Sequence, residues 1–285
     1  MSAAKNETPA KFPRTKIDSL SVSRMIIGTN WFLGYSHQSV AKDRFITGLQ
    51  TRKNIAEILN VFFEAGIDTI LGMPTPILQQ AISDAQDRTG VKGILALTPG
   101  FDPLADGEAE RAFDDCVKLG ADIIMPHTSV TDRLVDKLPG TIRNIEQYSK
   151  MIRERGKIPG LSTHLPESII FTDDQDYDVA TYISIYNAIG FLMPIEVEWA
   201  MHIIKRAKKP VMTIKPFGAG RITPPIGLAF VWNTIRDIDM VTVGTTTPDE
   251  ARECIALSLD YLSKRLPEQE MQMTRSKKIL IPKKK

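Results

Sequence analysis

The sequence predicts a single-domain α/β fold, a (β/α)8 TIM barrel. Three observations carry this. Eight short β-rich runs recur along the chain, at residues 25–30, 68–71, 93–98, 122–127, 158–163, 181–187, 211–215 and 240–244. Longer segments with helical periodicity lie between them. Glycine closes the helical pattern at Gly66, Gly90, Gly120 and Gly156, and a new strand follows within a few residues each time. A left-handed C-cap is expected at such glycines. Repeated strand–helix units build a parallel sheet, and eight of them close into a barrel.

The first strand ends Gly28-Thr29-Asn30-Trp31 and lacks G-x-G-x-x-G, which argues against an open, doubly wound dinucleotide sheet. The segment 31–51 is long for a strand-to-helix loop and reads as a lid or substrate wall. Helix 52–65 stops at Gly66 and feeds the strand 68–71. Pro76 opens the helix 76–88, a favoured N1 position for proline. Helix 108–119 leads through Gly120 to the strand 122–127, and helix 140–155 through Gly156 to the strand 158–163. The helical run 195–207 separates the sixth and seventh strands. Residues 1–16 are expected to be a flexible segment, 17–262 the barrel, and 263–285 an extension with a basic tail. Residues 279–281 offer a short strand or arm.

Composition limits the function classes. The chain has 285 residues, 42% of them hydrophobic, and 36 basic against 34 acidic side chains, a net charge of +2. No global field favours nucleic acid or a membrane surface. Lys277, Lys278, Lys283, Lys284 and Lys285 cluster at the end and read as a solvated tail. Cys116 and Cys254 are the only cysteines, both in amphipathic segments, which suggests reduced thiols and a cytoplasmic protein. Two cysteines cannot hold an iron–sulfur cluster by themselves. No apolar run approaches 18 residues, so no membrane span is expected. A small-molecule substrate is the expected partner, and a homo-oligomer is left open.

Barrel chemistry sits at the C-terminal ends of the strands. Those positions read Asn30, Leu71, Thr98, His127, Thr163 with His164, Asn187, Lys215, and Gly244 with Thr245. An imidazole at His127 suits hydrogen bonding to a substrate carbonyl or proton transfer. His164 is a second candidate. His37, in the long first loop, reads more readily as a residue without a catalytic role, and His202 as a surface residue. Lys215 is the only cation at a strand end. It could form a Schiff base if desolvation lowers its pKa, or pair with a phosphate or carboxylate. His127, Lys215 and His164 are therefore the catalytic candidates. No H-x-H or H-E-x-x-H spacing supports a metal, and none is expected.

Two strand ends a helix apart stand out. Ile214-Lys-Pro-Phe-Gly-Ala-Gly-Arg221 and Gly244-Thr-Thr-Thr-Pro-Asp-Glu-Ala-Arg-Glu253 can present backbone N–H groups to an anion. Leu20-Ser-Val-Ser-Arg-Met-Ile-Ile-Gly-Thr29, Ala121-Asp-Ile-Ile-Met-Pro-His127 and Gly156-Lys-Ile-Pro-Gly-Leu-Ser-Thr-His164 precede them in order. Together these motifs resemble the aldo-keto reductase superfamily over roughly residues 16–262.

The resemblance implies a (β/α)8 barrel that binds NAD(H) or NADP(H) without a Rossmann domain. It assigns cofactor binding to Ser162, Thr163, Asn187, Gly218, Arg221, Gly244, Thr245, Thr246 and Glu253. The family's chemistry uses Asp, Tyr, Lys and His. Its histidine carries over to His127. The other three do not: this chain has Leu71-Gly72-Met73 where the family's Asp falls, Pro76 in place of Tyr, and Leu97-Thr98-Pro99 where its Lys ends strand 3. Glu250 would repel the 2′-phosphate of NADP. Three readings follow: a divergent oxidoreductase with a non-standard site; a barrel lyase, isomerase or hydrolase acting on a phosphorylated or sugar substrate; and a non-catalytic nucleotide-binding barrel.

Overall fold

A computed structural model describes residues 11–73, 75–267 and Lys277. Eight parallel strands form the barrel: β1 (Met25–Gly28), β2 (Thr69–Gly72), β3 (Ile94–Leu97), β4 (Ile123–Ile124), β5 (Ile158–Pro159 continuing as Leu161–Ser162), β6 (Tyr182–Ile185), β7 (Val211–Ile214) and β8 (Met240–Val243). Consecutive strands are neighbours, and β8 returns to β1 with Val241 opposite Met25. The break in β5 closes the ring. Ile158 pairs with Ile123 of β4, whereas Leu161 pairs with Tyr182 of β6. Gly160 lies at the changeover, its N–H donating to Ile124 O at 3.1 Å while Leu161 N–H donates to Thr181 O at 3.0 Å. A Cβ there would stand 2.6 Å from Met125 Cγ, so the seam needs glycine.

Alternation along each strand sorts side chains to two cores. Ile26, Leu71, Ala96, Ile123, Ile183, Met212 and Met240 fill the barrel interior. Met25, Ile27, Ile70, Tyr182 and Val241 face outward to the helices and meet Phe62, Phe63 and Phe113 there. An antiparallel hairpin, Arg14–Ile17 with Leu20–Ser23, adds Ile17 and Val22 to the interior cluster and plugs the N-terminal end. Residues 14–16, read from the sequence as part of a flexible segment, thus form a paired strand.

Among the described residues, ten helices surround the strands: α1 (Val40–Leu49), α2 (Arg52–Glu64), α3 (Pro76–Thr89), α4 (Glu108–Lys118), α5 (Thr128–Leu134), α6 (Ile145–Glu154), α7 (Glu167–Asp174), α8 (Val197–Arg206), α9 (Pro224–Thr234) and α10 (Pro248–Leu262). In α2, Ile55, Ile58, Leu59, Phe62 and Phe63 are buried, the 3–4 spacing of one helix face. Gly66, Gly90, Gly120 and Gly156 have φ of 79°, 70°, 82° and 69°, the left-handed caps the sequence predicted. Two helices differ from the sequence reading. The segment 31–51 contains α1, capped by Ser39, instead of a plain loop. The helix expected from residue 140 begins at Ile145, because Thr141–Ile142 pairs with Val135–Asp136. Cys116 and Cys254 are buried free thiols. Residues 279–281 lie outside the described residues. Among those described, no helix is long and apolar enough to cross a membrane.

Candidate active site

A cavity of about 570 Å³ opens at the C-terminal ends of the strands, within the size range of small-molecule sites. The strands end early enough to free its walls: Asn30, Thr98, His127 and Lys215 all lie just beyond the last paired residue. The ends of β2 and β3 contribute Leu71, Gly72 and Thr98, without acid or base. No side chain fits at residue 72, since a Cβ there would stand 1.6 Å from Thr29 Oγ1.

The opposite wall is rich in nitrogen. Lys215 Nζ and Asn30 Nδ2 each lie 3.3 Å from His37 Nε2. An ammonium and an amide NH2 both donate, so Nε2 accepts and a neutral His37 carries its proton on Nδ1. Ser36 holds this histidine in place, its N–H and hydroxyl both donating to Asp43 Oδ1 on α1, at 2.9 and 2.5 Å. Both His37 and Lys215 have left-handed backbones, with φ of 55° and 61°. Such non-glycine conformations cost energy and concentrate at functional sites.

His127 precedes α5, and its Nδ1 accepts the Ser129 N–H at 3.2 Å. That bond leaves the proton of a neutral ring on Nε2, a hydrogen-bond donor. Asp132 of α5 ties this corner to the end of β5. It accepts Thr128 Oγ1 at 2.6 Å, Thr163 Oγ1 at 2.7 Å and the His164 N–H at 3.2 Å.

Burial lowers the proton affinity of all four basic groups. Lys215 is brought down from 10.5 to about 8 by burial. His164 falls to about 4 through burial first and the Lys215 charge second, with Asp132 opposing. His37 and His127 are lowered chiefly by burial, and Lys215 adds to both shifts. Near neutral pH the lowered imidazoles favour their uncharged forms, and Lys215 and Arg221 supply the positive charge of the cavity. Among the described residues no carboxylate forms an ion pair with it.

The glycine loops form the outer part. Gly218, Ala219 and Gly220 have consecutive positive φ of 53°, 57° and 82°. Arg221 follows, its Nη1 donating to Gly218 O at 3.0 Å and its guanidinium 4.0 Å from the Phe191 ring centroid. After β8, a Cβ on Gly244 would stand 3.0 Å from Trp31 Cδ1, and Thr245 Oγ1 is buried without a protein partner. Thr246 is engaged differently. Its N–H and hydroxyl donate to Glu250 Oε2 at 2.6 and 2.7 Å, while Glu250 N–H donates to Thr247 Oγ1 at 3.1 Å. The carboxylate thus covers the N-terminus of α10. The segment around α1 straps both loops, with Gln38 Nε2 donating to Ala219 O at 2.6 Å and Gln50 Nε2 to Thr246 O at 2.9 Å.

His127, His164, Lys215, Ser162, Arg221, Gly244, Thr245 and Glu253 all line the cavity. Thr163, Asn187, Gly218 and Thr246 do not line it. Thr163 binds Asp132, and Asn187 is bonded to both backbone groups of Phe191 at 2.8 and 3.0 Å. From the sequence, Asn30 falls at a strand end and Trp31 opens the wall segment, neither with an assigned role, while His37 reads as non-catalytic and Asp132 is not singled out. Among the described residues, no group of three or more His, Cys, Asp and Glu is placed to hold a metal ion.

The fold is a (β/α)8 barrel shaped like those of solved aldo-keto reductases. A protein of Pseudomonas aeruginosa assigned to the aldo-keto reductases superposes with a TM-score of 0.68 at 14% identity, over 91% of this chain and all of the other. The glycerol dehydrogenase of Gluconobacter oxydans gives 0.55 at 12%, over 92% and 98%. An aldo/keto reductase of Klebsiella pneumoniae, in complex with NADP and acetate, gives 0.52 at 15%, over 93% and 98%. At these identities the likeness establishes the fold. No protein-family model and no curated protein matches the sequence.

Proposed function

We propose that this barrel is an oxidoreductase of the aldo-keto reductase type, using NAD(H) and a small carbonyl or alcohol substrate, with Lys215 in the role of the absent tyrosine. One observation carries the reading. Lys215, His37 and His127 line one cavity with the two glycine loops that the family uses for its cofactor.

The residues present fit a dinucleotide. Gly220 and Gly244 keep side chains off the loops, and Arg221 and the unpartnered Thr245 hydroxyl line the same cavity. Glu250, already bonded to Thr246, disfavours a 2′-phosphate and so favours NAD(H) over NADP(H). When bound, the nicotinamide supplies or accepts a hydride. The protein's own residues handle the proton. His127 Nε2–H donates to the substrate oxygen and orients the carbonyl. Lys215 in its ammonium form protonates that oxygen as negative charge develops. An acid of pKa about 8 is well matched to this task near neutral pH. His37 Nε2, 3.3 Å away, accepts one Nζ–H and holds the ammonium in position.

The test is turnover of a panel of aldehydes and ketones with NADH by wild type, Lys215→Met and His127→Ala. The reading expects activity in wild type and its loss in both variants. Activity undiminished in Lys215→Met would overturn the assignment of the acid.

A further inference from the structure

Lys215 has a second chemistry available that does not depend on a dinucleotide. Its Nζ belongs to a half-buried residue at the end of β7, has no ion-pairing carboxylate among the described residues, and lies 3.3 Å from a neutral imidazole acceptor. Ile183, Ile214, Leu71 and Trp31 supply apolar wall around it. The titratable groups facing this space are His37, His127, His164, Arg221, Glu250, Glu253 and Cys254, with Asp43 and Asp132 behind. A lysine held this way loses its proton more readily than a surface lysine, and a neutral amine is a nucleophile toward carbonyl carbon.

We propose that Lys215 captures aldehydes and ketones covalently as a Schiff base. Lys215 first loses a proton to solvent, and His37 Nε2 accepts a hydrogen bond from one of the remaining Nζ–H groups. The Nζ lone pair then adds to the carbonyl carbon, an N–C bond forms, and the C=O π pair moves to oxygen. A second proton leaves nitrogen and one arrives on oxygen, giving a carbinolamine. Its hydroxyl takes a further proton from solvent and departs as water, leaving a C=N–H⁺ iminium that returns that proton to solvent as the neutral imine forms. One amine and one carbonyl give one imine and one water, with no change in oxidation state. His127 Nε2–H is the donor available to the departing oxygen. This goes beyond hydride transfer, and it holds or fails without a nicotinamide present.

The experiment is reductive trapping at neutral pH with no dinucleotide. The full-length protein is treated with limiting propionaldehyde and sodium cyanoborohydride, which reduces C=N to a stable secondary amine. Peptide mass spectrometry then reads the alkylation rate of every lysine. We expect Lys215 to be alkylated roughly tenfold or more faster than the surface lysines, as its lowered proton affinity dictates. His37→Gln should slow Lys215 selectively. The surface lysines serve as internal controls within the folded wild type, so no variant has to fold for the main readout. Alkylation of Lys215 no faster than Lys53 or Lys118, both exposed on helices, would overturn the proposal. Failure of dinucleotide binding with fast Lys215 trapping would sink the redox reading and leave this one standing, and the reverse pattern would do the opposite.

Discussion

Lys215 and His37 lie 178 residues apart in the chain and meet at 3.3 Å, each with a left-handed backbone. Tight contacts elsewhere must sustain two such conformations, and the bonds from Ser36 to Asp43 and from Gln38 to Ala219 do so. The pair gives the cavity an acid although the ends of β2 and β3 provide none.

Turnover should therefore follow the Lys215 proton. Reduction of a carbonyl needs the ammonium, so its rate falls as pH rises through about 8. Oxidation of the alcohol needs the free amine and rises over the same range. Opposite pH limbs in the two directions, measured as kcat against pH, check this.

Stability should carry the same signature with a definite sign. The folded-state value of Lys215, about 8, lies below its ordinary 10.5, so between these values the unfolded chain binds more protons. Stability contributed by this group is complete above 10.5 and is lost as pH falls to 8. Lys215→Met removes the cost of a half-buried charge, so the variant should melt higher than wild type at pH 7. The gap should close as pH approaches 10.5, as thermal melts of both proteins will show.

Glu250→Ala should change cofactor choice. It frees the Thr246 N–H at the start of α10, where an anion is favoured. NADPH affinity should rise about tenfold relative to NADH, the scale of one charge-assisted contact. Paired titrations of wild type and variant measure it. An unchanged ratio would place the adenosine ribose elsewhere.

Gly160→Ala should strain the barrel seam. The added Cβ meets Met125 Cγ and Sδ at 2.6 and 2.8 Å and Thr181 Cγ2 at 3.0 Å. Overpacking of this kind costs about 1–3 kcal/mol. Denaturant unfolding should show the loss, and Met125→Ala in the same chain should recover part of it.

The parts of this molecule that local chemistry controls were legible in the sequence. Gly66, Gly90, Gly120 and Gly156 punctuate the repeat because only a left-handed cap ends those helices cheaply. The glycine loops after β7 and β8 could be read from their residues. His37 could not, because its approach to Lys215 depends on how α1 folds back, and α1 lies in a segment whose pattern reads as loop. Asp132 is a similar case: three donors from two separate elements converge on it, and no spacing in the chain announces that. Asn187 illustrates the reverse. Its strand-end position suggests a ligand contact, yet its amide is spent on the Phe191 backbone.

Occupancy of this cavity by a dinucleotide is the property on which the proposed oxidoreductase rests. Trp31 lines it beside Gly244, so fluorescence titration with NADH and NADPH reports occupancy directly. Saturable quenching by NADH, with NADPH at least tenfold weaker, is the predicted result. No change with either up to millimolar concentration would contradict it.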